Sequence, residues 1–360
     1  LRKNRVMTIQ QLLQYTVEKG ASDLHLIAGS PPLVRLDGLL VPTAGEEVMT
    51  PTRVEQLMEG ILSPEQKQVL EVNKELDFSF AYGEKARYRV NAYFQRNTLA
   101  GSFRLIAKEI PDIDSLGLPK IAHDFATLRQ GFVLVTGPTG HGKSTTLAAI
   151  LEEINQTRPV HIVTIEDPIE YVYTPARAVI SQREIHNDTH SWDIALRSAL
   201  REDPDIVLIG EMRDFETIAA ALTIAETGHL VFATLHTNSA SQTVDRIVDV
   251  FPENQQPQVR AQLAANLEAV FSQRLVPKIN GGRTAAYEIM VGTSAVRTAI
   301  REGRTHMLDN IIMTSSEYGM VSLEGTLAKL TRESVISLEI AQAFALRPAD
   351  VSRFIRGGAS

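Results

Sequence analysis

The chain has 360 residues, of which 44% are apolar, enough material to fill two cores. It contains no cysteine, which excludes disulfides, thiolate zinc sites and cysteine nucleophiles. A formal net charge of -7 weighs against a protein that coats nucleic acid, and there is neither an apolar run of about eighteen residues nor a signal-peptide core in LRKNRVMTIQQLL; a cytoplasmic, folded protein is expected.

In chain order, TIQQLLQYTVEK repeats apolar residues at helical spacing, and SDLHLIAG reads as a strand. PPLVRLDGLLVP sets two apolar runs around Asp37-Gly38, a hairpin signal. Two helices, PTRVEQLMEGIL and PEQKQVLEV, precede ELDFSFAY, ARYRVNAYFQ and AGSFRLIA, which alternate with the two-residue period of strands. The pattern predicts a small mixed α/β domain over residues 1–107. KEIPDIDSLGLP, residues 108–119, holds no sustained period and reads as a linker to a second domain over 120–360. There, FVLVT, HIVTIE, DIVLIG and LVFATLH have the continuous apolar character of strands buried on both faces, separated by the helical stretches STTLAAILEEIN, WDIALRSALR and FETIAAALTIAE. A mostly parallel sheet between helices follows, and the last hundred or so residues read as helical apart from TAAYEIM.

Gly137-Pro138-Thr139-Gly140-His141-Gly142-Lys143-Ser144 satisfies the phosphate-loop pattern between an expected strand and an expected helix. In such a loop the backbone N–H groups turn toward a β-phosphate, a lysine in the place of Lys143 reaches the β and γ oxygens, and a serine in the place of Ser144 ligands magnesium. Thr139, Gly140, Gly142 and Thr145 complete the expected nucleotide-binding set, with ATP and Mg2+ as substrate and cofactor. His141 reads as a solvated loop residue.

The acidic partners of a phosphate loop belong at the ends of neighbouring parallel strands. HIVTIEDPIEY ends at Glu166-Asp167, where Pro168 stops the strand and leaves the carboxylates exposed. DPDIVLIGEMRD ends at Glu211, with Gly210 where many phosphate-loop enzymes carry an aspartate. LVFATLHTNSA brings His236 to the same edge, followed by Thr237, Asn238 and Ser239, a cluster suited to sensing a γ-phosphate. His229 falls at the opposite end of that strand, and His25 in SDLHL reads as a hydrogen-bonded core residue.

Together GPTGHGKST, IEDPIEY, DPDIVLIGEMRD and TGHLVFATLHTNSA resemble, in order, the Walker A, Asp, Walker B and His boxes of the type II and type IV secretion ATPases. The glycine before Glu211 is that family's own variant. The resemblance implies an N-terminal PAS-like domain joined to a RecA-like motor domain with a helical C-terminal region, assembled as a homo-hexamer. It implies Glu166 as the water-orienting base and Glu211 as the carboxylate of the magnesium and water shell. Arg89 in RYRVN and Arg104 in SFRLI match positions whose guanidinium groups reach the γ-phosphate, an arrangement worth roughly a thousandfold or more in rate. Arg87 and Arg96 read as surface residues.

ASDLHLIAGSPPLVRLDG, RYRVNAYFQ, GSFRLI and AIREG resemble the pilus retraction branch, the PilT family, along nearly the whole chain. AIREG, with Ala299, Ile300, Arg301 and Glu302, is that branch's C-terminal motif, expected on a short helix ended by Gly303. Assembly and secretion relatives carry a four-cysteine zinc insertion after the counterpart of QRLVPK, and here none occurs, so no zinc is expected. GMVSLEGTLAKL departs from the family's GM-x-T-M-D-Q stretch at Glu324 and Gly325. By resemblance the partners are an inner-membrane pilus platform protein and an accessory retraction ATPase, with the ring held peripherally on the cytoplasmic membrane's inner face. Other readings are an accessory retraction ATPase, a pilus-assembly or secretion ATPase, a RecA-like nucleic-acid motor and a nucleotide-gated adaptor. No basic aromatic stretch supports nucleic acid as a partner.

Overall fold

The computed structural model describes residues 7–36, 38–83, 86–106 and 109–356. Asp37 of the hairpin and the expected domain boundary at 107 and 108 lie outside them. Contacts divide the chain into two units, one running to Glu109 and including Pro168–Val172, the other comprising Ile110–Asp167 and the chain from Tyr173 onward.

In the first unit, Thr8 opens α1 (Ile9–Glu18) with a capping box, its side chain and that of Gln11 each accepting the other's N–H. Then come β1 (Asp23–Ile27), β2 (Leu33–Leu36), β3 (Leu39–Pro42), α2 (Pro51–Glu59), α3 (Pro64–Asn73), β4 (Glu75–Tyr82), β5 (Ala86–Gln95) and β6 (Thr98–Ile106). The antiparallel sheet has the order β3-β2-β1-β6-β5-β4. Leu36 pairs with Leu39 across the expected hairpin, and Arg96 and Asn97, both at positive φ, form the two-residue turn between β5 and β6.

One face of this sheet buries Leu24, Leu26, Tyr88, Val90 and Phe103 with Leu12 and Leu13 of α1, and the Tyr88 hydroxyl donates to the Leu13 carbonyl at 2.8 Å. Strand alternation sends Asp23, His25, Arg89, Asn91, Ser102 and Arg104 to the other face.

The second unit begins with α4 (Ile121–Thr127), β7 (Gly131–Thr136), α5 (Lys143–Thr157), β8 (His161–Glu166), β9 (Val179–Glu184), α6 (Trp192–Ala199) and β10 (Ile206–Ile209). It continues through α7 (Phe215–Glu226), β11 (Leu230–Leu235), α8 (Ala240–Asp249), α9 (Gln256–Asn266), β12 (Leu267–Pro277), β13 (Arg283–Val291) and α10 (Ser294–Arg301). α11 (Leu308–Thr314), α12 (Leu323–Arg332), α13 (Leu338–Phe344) and α14 (Pro348–Arg356) close it. The sheet order is β13-β12-β7-β11-β10-β8-β9, parallel except for the β12–β13 pair. The central strands β7, β10 and β11 are buried at every position, as their apolar runs require.

Two strands depart from the sequence reading. The last hundred residues are not helical up to TAAYEIM, because LEAVFSQRLVP forms β12, eleven residues long. Its charged and polar residues hide the strand pattern, while hydrogen bonding to β7 on one side and β13 on the other holds it extended. β9 is a polar edge strand whose extended form is set by its parallel ladder with β8. Among the described residues, no helix is long and apolar enough to cross a membrane.

Candidate active site

The phosphate loop leaves the carboxyl end of β7 and enters α5 at Lys143. Gly137 and Gly142, which stands as the helix N-cap, both have positive φ, 141° and 84°, a backbone region that L side chains rarely enter. The first N–H groups of α5 lack intrahelical partners, which makes this helix start a site for an anion.

Lys143 is 8% exposed, and its ammonium donates to the carbonyls of Gly137 (2.9 Å) and Pro138 (3.1 Å) and to Nδ1 of His236 (3.2 Å). A lysine ammonium has no lone pair, so Nδ1 is the acceptor in that contact, and the ring proton falls to Nε2. From there it is directed at Oε1 of Glu211, 2.9 Å away. The Thr139 hydroxyl lies 3.3 Å from the same Nδ1, and Arg213 donates to Oε2 of Glu211 at 2.8 Å. A continuous polar chain therefore links the phosphate loop to the ends of β11 and β10, the positions expected of His236 and Glu211.

Burial pushes the Glu211 carboxyl up, but the Arg213 hydrogen bond and the charges of Arg213 and Lys143 outweigh it and hold the group below its ordinary value. An ionised Glu211 and the partly accessible Ser144 hydroxyl are hard oxygen donors, a chemistry that fits Mg2+. Among the described residues no cluster of three or more acidic or histidine ligands occurs, and magnesium, which keeps waters and phosphate oxygens as ligands, does not require one.

Glu166 ends β8 as expected, but it is not exposed. At 8% exposure its Oε1 accepts from the Thr164 hydroxyl at 2.7 Å and from Gln182 at 3.4 Å, whereas Asp167 faces outward. The neighbouring strand explains the burial, since parallel pairing sets Glu166 beside Glu184 of β9, itself 1% exposed. Gly210 also acquires a reason. A Cβ there would stand 3.2 Å from both Glu166 Cα and the Ile165 carbonyl oxygen, so an aspartate in its place would crowd the backbone carrying Glu166.

His141 is not a solvated loop residue. Its Nδ1 accepts the Leu275 N–H at 2.9 Å, and burial, followed by the charges of Arg274, Lys143 and Arg283, lowers its pKa and favours the neutral ring this bond requires. Gln273 of β12, given no role in the sequence reading, donates to the carbonyl of the same residue. His229 is held at the end of α7 by Thr227 and the Ile224 carbonyl, and Nδ1 of His25 lies 3.4 Å from the Ser102 hydroxyl. Glu324, 1% exposed, accepts the N–H groups of Leu346 and Arg347, anchoring the chain between α13 and α14.

In the first unit Arg89 and Arg104 are direct cross-strand partners on one face. Two like charges placed so cost stability, which the Arg104–Asp23 bond of 3.1 Å offsets. Arg35 stands 3.7 Å from the same Asp23 carboxylate, and Arg87 is not a plain surface residue, since it donates to Ser79. In the second unit, α10 buries Ala299 and Ile300 in the main core and leaves Arg301 and Glu302 exposed, Glu302 paired with Arg304.

A phosphate loop, two carboxylates and a histidine at the carboxyl ends of adjacent parallel strands define the class as a phosphate-loop ATPase. Residues 4–344 match the family model described as type II/IV secretion system protein. The type IV pilus retraction ATPase PilT of Pseudomonas aeruginosa is 47% identical over 336 residues, which cover 93% of this chain and 97% of the relative. A twitching motility protein of Neisseria gonorrhoeae is 44% identical over 336 residues, covering 93% and 90%. The crystal structure of the pilus retraction motor PilT with bound ADP superposes with a TM-score of 0.90 at 44% identity, covering 96% of this chain and 99% of that one. The chain belongs to the type II/IV secretion ATPase family and, within it, to the PilT family of type IV pilus retraction ATPases.

Proposed function

We propose that the chain is the subunit of a hexameric motor in which a PAS-like N-terminal domain and a RecA-like motor domain couple ATP hydrolysis to withdrawal of a type IV pilus. The observation that carries the chemistry is the chain of contacts from Lys143 through His236 to Glu211 at the strand ends. With ATP in the site, the loop's N–H groups and Lys143 hold the β and γ oxygens, with Gly137, Thr139, Gly140, Gly142 and Thr145 shaping the cradle. Ser144 and Glu211 would hold Mg2+, which supplies charge neutralisation across those oxygens.

Glu166 orients the attacking water and takes its proton. The water oxygen bonds to the γ-phosphorus as the bridging bond to ADP breaks and its electron pair leaves with the β-phosphate. His236 stands between Lys143 and Glu211, so loss of the γ-phosphate on one side changes the hydrogen bonding of the other. Arg89 and Arg104 supply positive charge to the developing transition state when their domain closes on nucleotide. An inner-membrane platform protein receives the motion, with the ring held peripherally at the membrane and an accessory ATPase in support.

The reading is tested with Lys143→Ala. Purified variant is expected to lose ATP turnover, and cells carrying it to be hyperpiliated and non-motile. Unchanged turnover would overturn the site, and bare cells would assign the motor to assembly.

A further inference from the structure

β12, the strand hidden in the sequence, holds the phosphate loop from the side. Gln273 is 1% exposed and follows directly on the Ser272–Thr136 pair of the β7–β12 ladder. Its Nε2 donates to the His141 carbonyl at 2.7 Å, and its Oε1 accepts the hydroxyl of Thr146, in the first turn of α5, at 2.7 Å. Two residues further along, Leu275 N–H donates to Nδ1 of His141 at 2.9 Å. Two loop glycines also lie close against Gln273. A Cβ on Gly137 would stand 2.2 Å from the Gln273 carbonyl oxygen, and one on Gly142 would stand 2.9 Å from Gln273 Nε2.

The His141 carbonyl belongs to the planar trans peptide that also carries the Gly142 N–H, so fixing the oxygen against Gln273 sends that N–H to the opposite side, away from β12. Only a side chain that donates and accepts at once can bridge a loop carbonyl and a helix hydroxyl in this way. A carboxylate of the same length lacks the donor, and methionine has no donor and only a weak acceptor. We infer that Gln273 is a positioning residue that keeps the phosphate loop in its anion-binding shape, with His141 as the loop's second attachment to the same strand. Arg274, the next residue, donates to the Phe344 carbonyl at 2.6 Å, so the strand that grips the loop is itself bonded to the end of α13.

This inference rests on the assignment of residues 137–144 as the phosphate site, and the test separates the two. Binding of Mg2+-ADP and steady-state turnover are measured for the full chain carrying Gln273→Glu, Gln273→Met or Lys143→Ala, with folding followed through Trp192. Both Gln273 variants are expected to raise the ADP Kd and the KM for ATP by about tenfold, the equivalent of a single lost network of buried bonds, with a smaller change in kcat. Unchanged ADP affinity in folded Gln273 variants, beside lost affinity in Lys143→Ala, overturns the positioning role alone. Retained affinity in Lys143→Ala overturns the phosphate site itself. Should the Gln273 variants not fold, Thr146→Val removes one hydroxyl from the same network: a severalfold rise in the ADP Kd supports the inference, and an unchanged value overturns it.

Discussion

Replacing Glu288 with glutamine isolates the electrostatic cost of a buried carboxylate that lies behind the His236 loop. Glu288 stands on β13 at 2% exposure, and its Oε1 accepts the N–H of Ala240, the first residue of α8, at 2.7 Å. Burial pushes its carboxyl up to about 7 against that hydrogen bond; Asp309 and Glu324 add to the rise and Arg347 opposes it. Between the ordinary value of 4.5 and about 7, the folded protein holds a proton that the unfolded chain has released. Stability therefore falls as pH rises through this window, by about 3 kcal/mol in all at 1.36 kcal/mol for each pH unit. Glutamine keeps an acceptor for the Ala240 N–H and does not ionise, so this fall is absent from the variant. The sequence has a single tryptophan, Trp192 in α6, in the same unit as Glu288, and its fluorescence reports the relevant transition. Urea unfolding at pH 5, 6, 7 and 8 is expected to show the native protein losing about 3 kcal/mol more than the variant between pH 5 and 8. Parallel stability curves for the two proteins would refute the reasoning.

Glu166→Gln is expected to bind ATP normally and to lose turnover by roughly a hundredfold to ten-thousandfold, since the amide still accepts from Thr164 but cannot take a proton; lost nucleotide affinity in a binding titration would show a structural or metal-linked role instead. Arg89→Ala and Arg104→Ala are each expected to lower kcat by roughly a thousandfold while nucleotide binding persists, and normal turnover of a chain starting near Leu118 would contradict this. Arg301→Ala combined with Glu302→Ala removes two exposed side chains, and the ion pair of Glu302 with Arg304 is a surface contact worth at most about 1 kcal/mol. Assembly by light scattering and basal ATPase are expected to stay near the native level while pilus retraction in cells is lost; normal retraction would return the pair to the solvated surface.

Local chemistry was legible without coordinates wherever a segment decides its own conformation. The helical spacing of TIQQLLQYTVEK gives α1, and the apolar runs of β7, β10 and β11 can only be buried, so the elements and the phosphate loop follow from short stretches of chain. Because parallel strands end at one edge, the same runs also brought Lys143, Glu166, Glu211 and His236 together in expectation. Only the tertiary structure decided which strands are neighbours, and through that, burial and protonation. Glu166 is buried because β9 lies beside it, Gly210 is small because Glu166 backbone crowds it, and Glu288 faces a helix start 48 residues earlier in the chain. His141 lies 134 residues from the amide it accepts, and Gln273 lies 132 residues from the loop carbonyl it holds. No local pattern encodes such pairs, because they arise from the sheet order that sets β12 against β7, and that order is chosen by the packing of the whole unit.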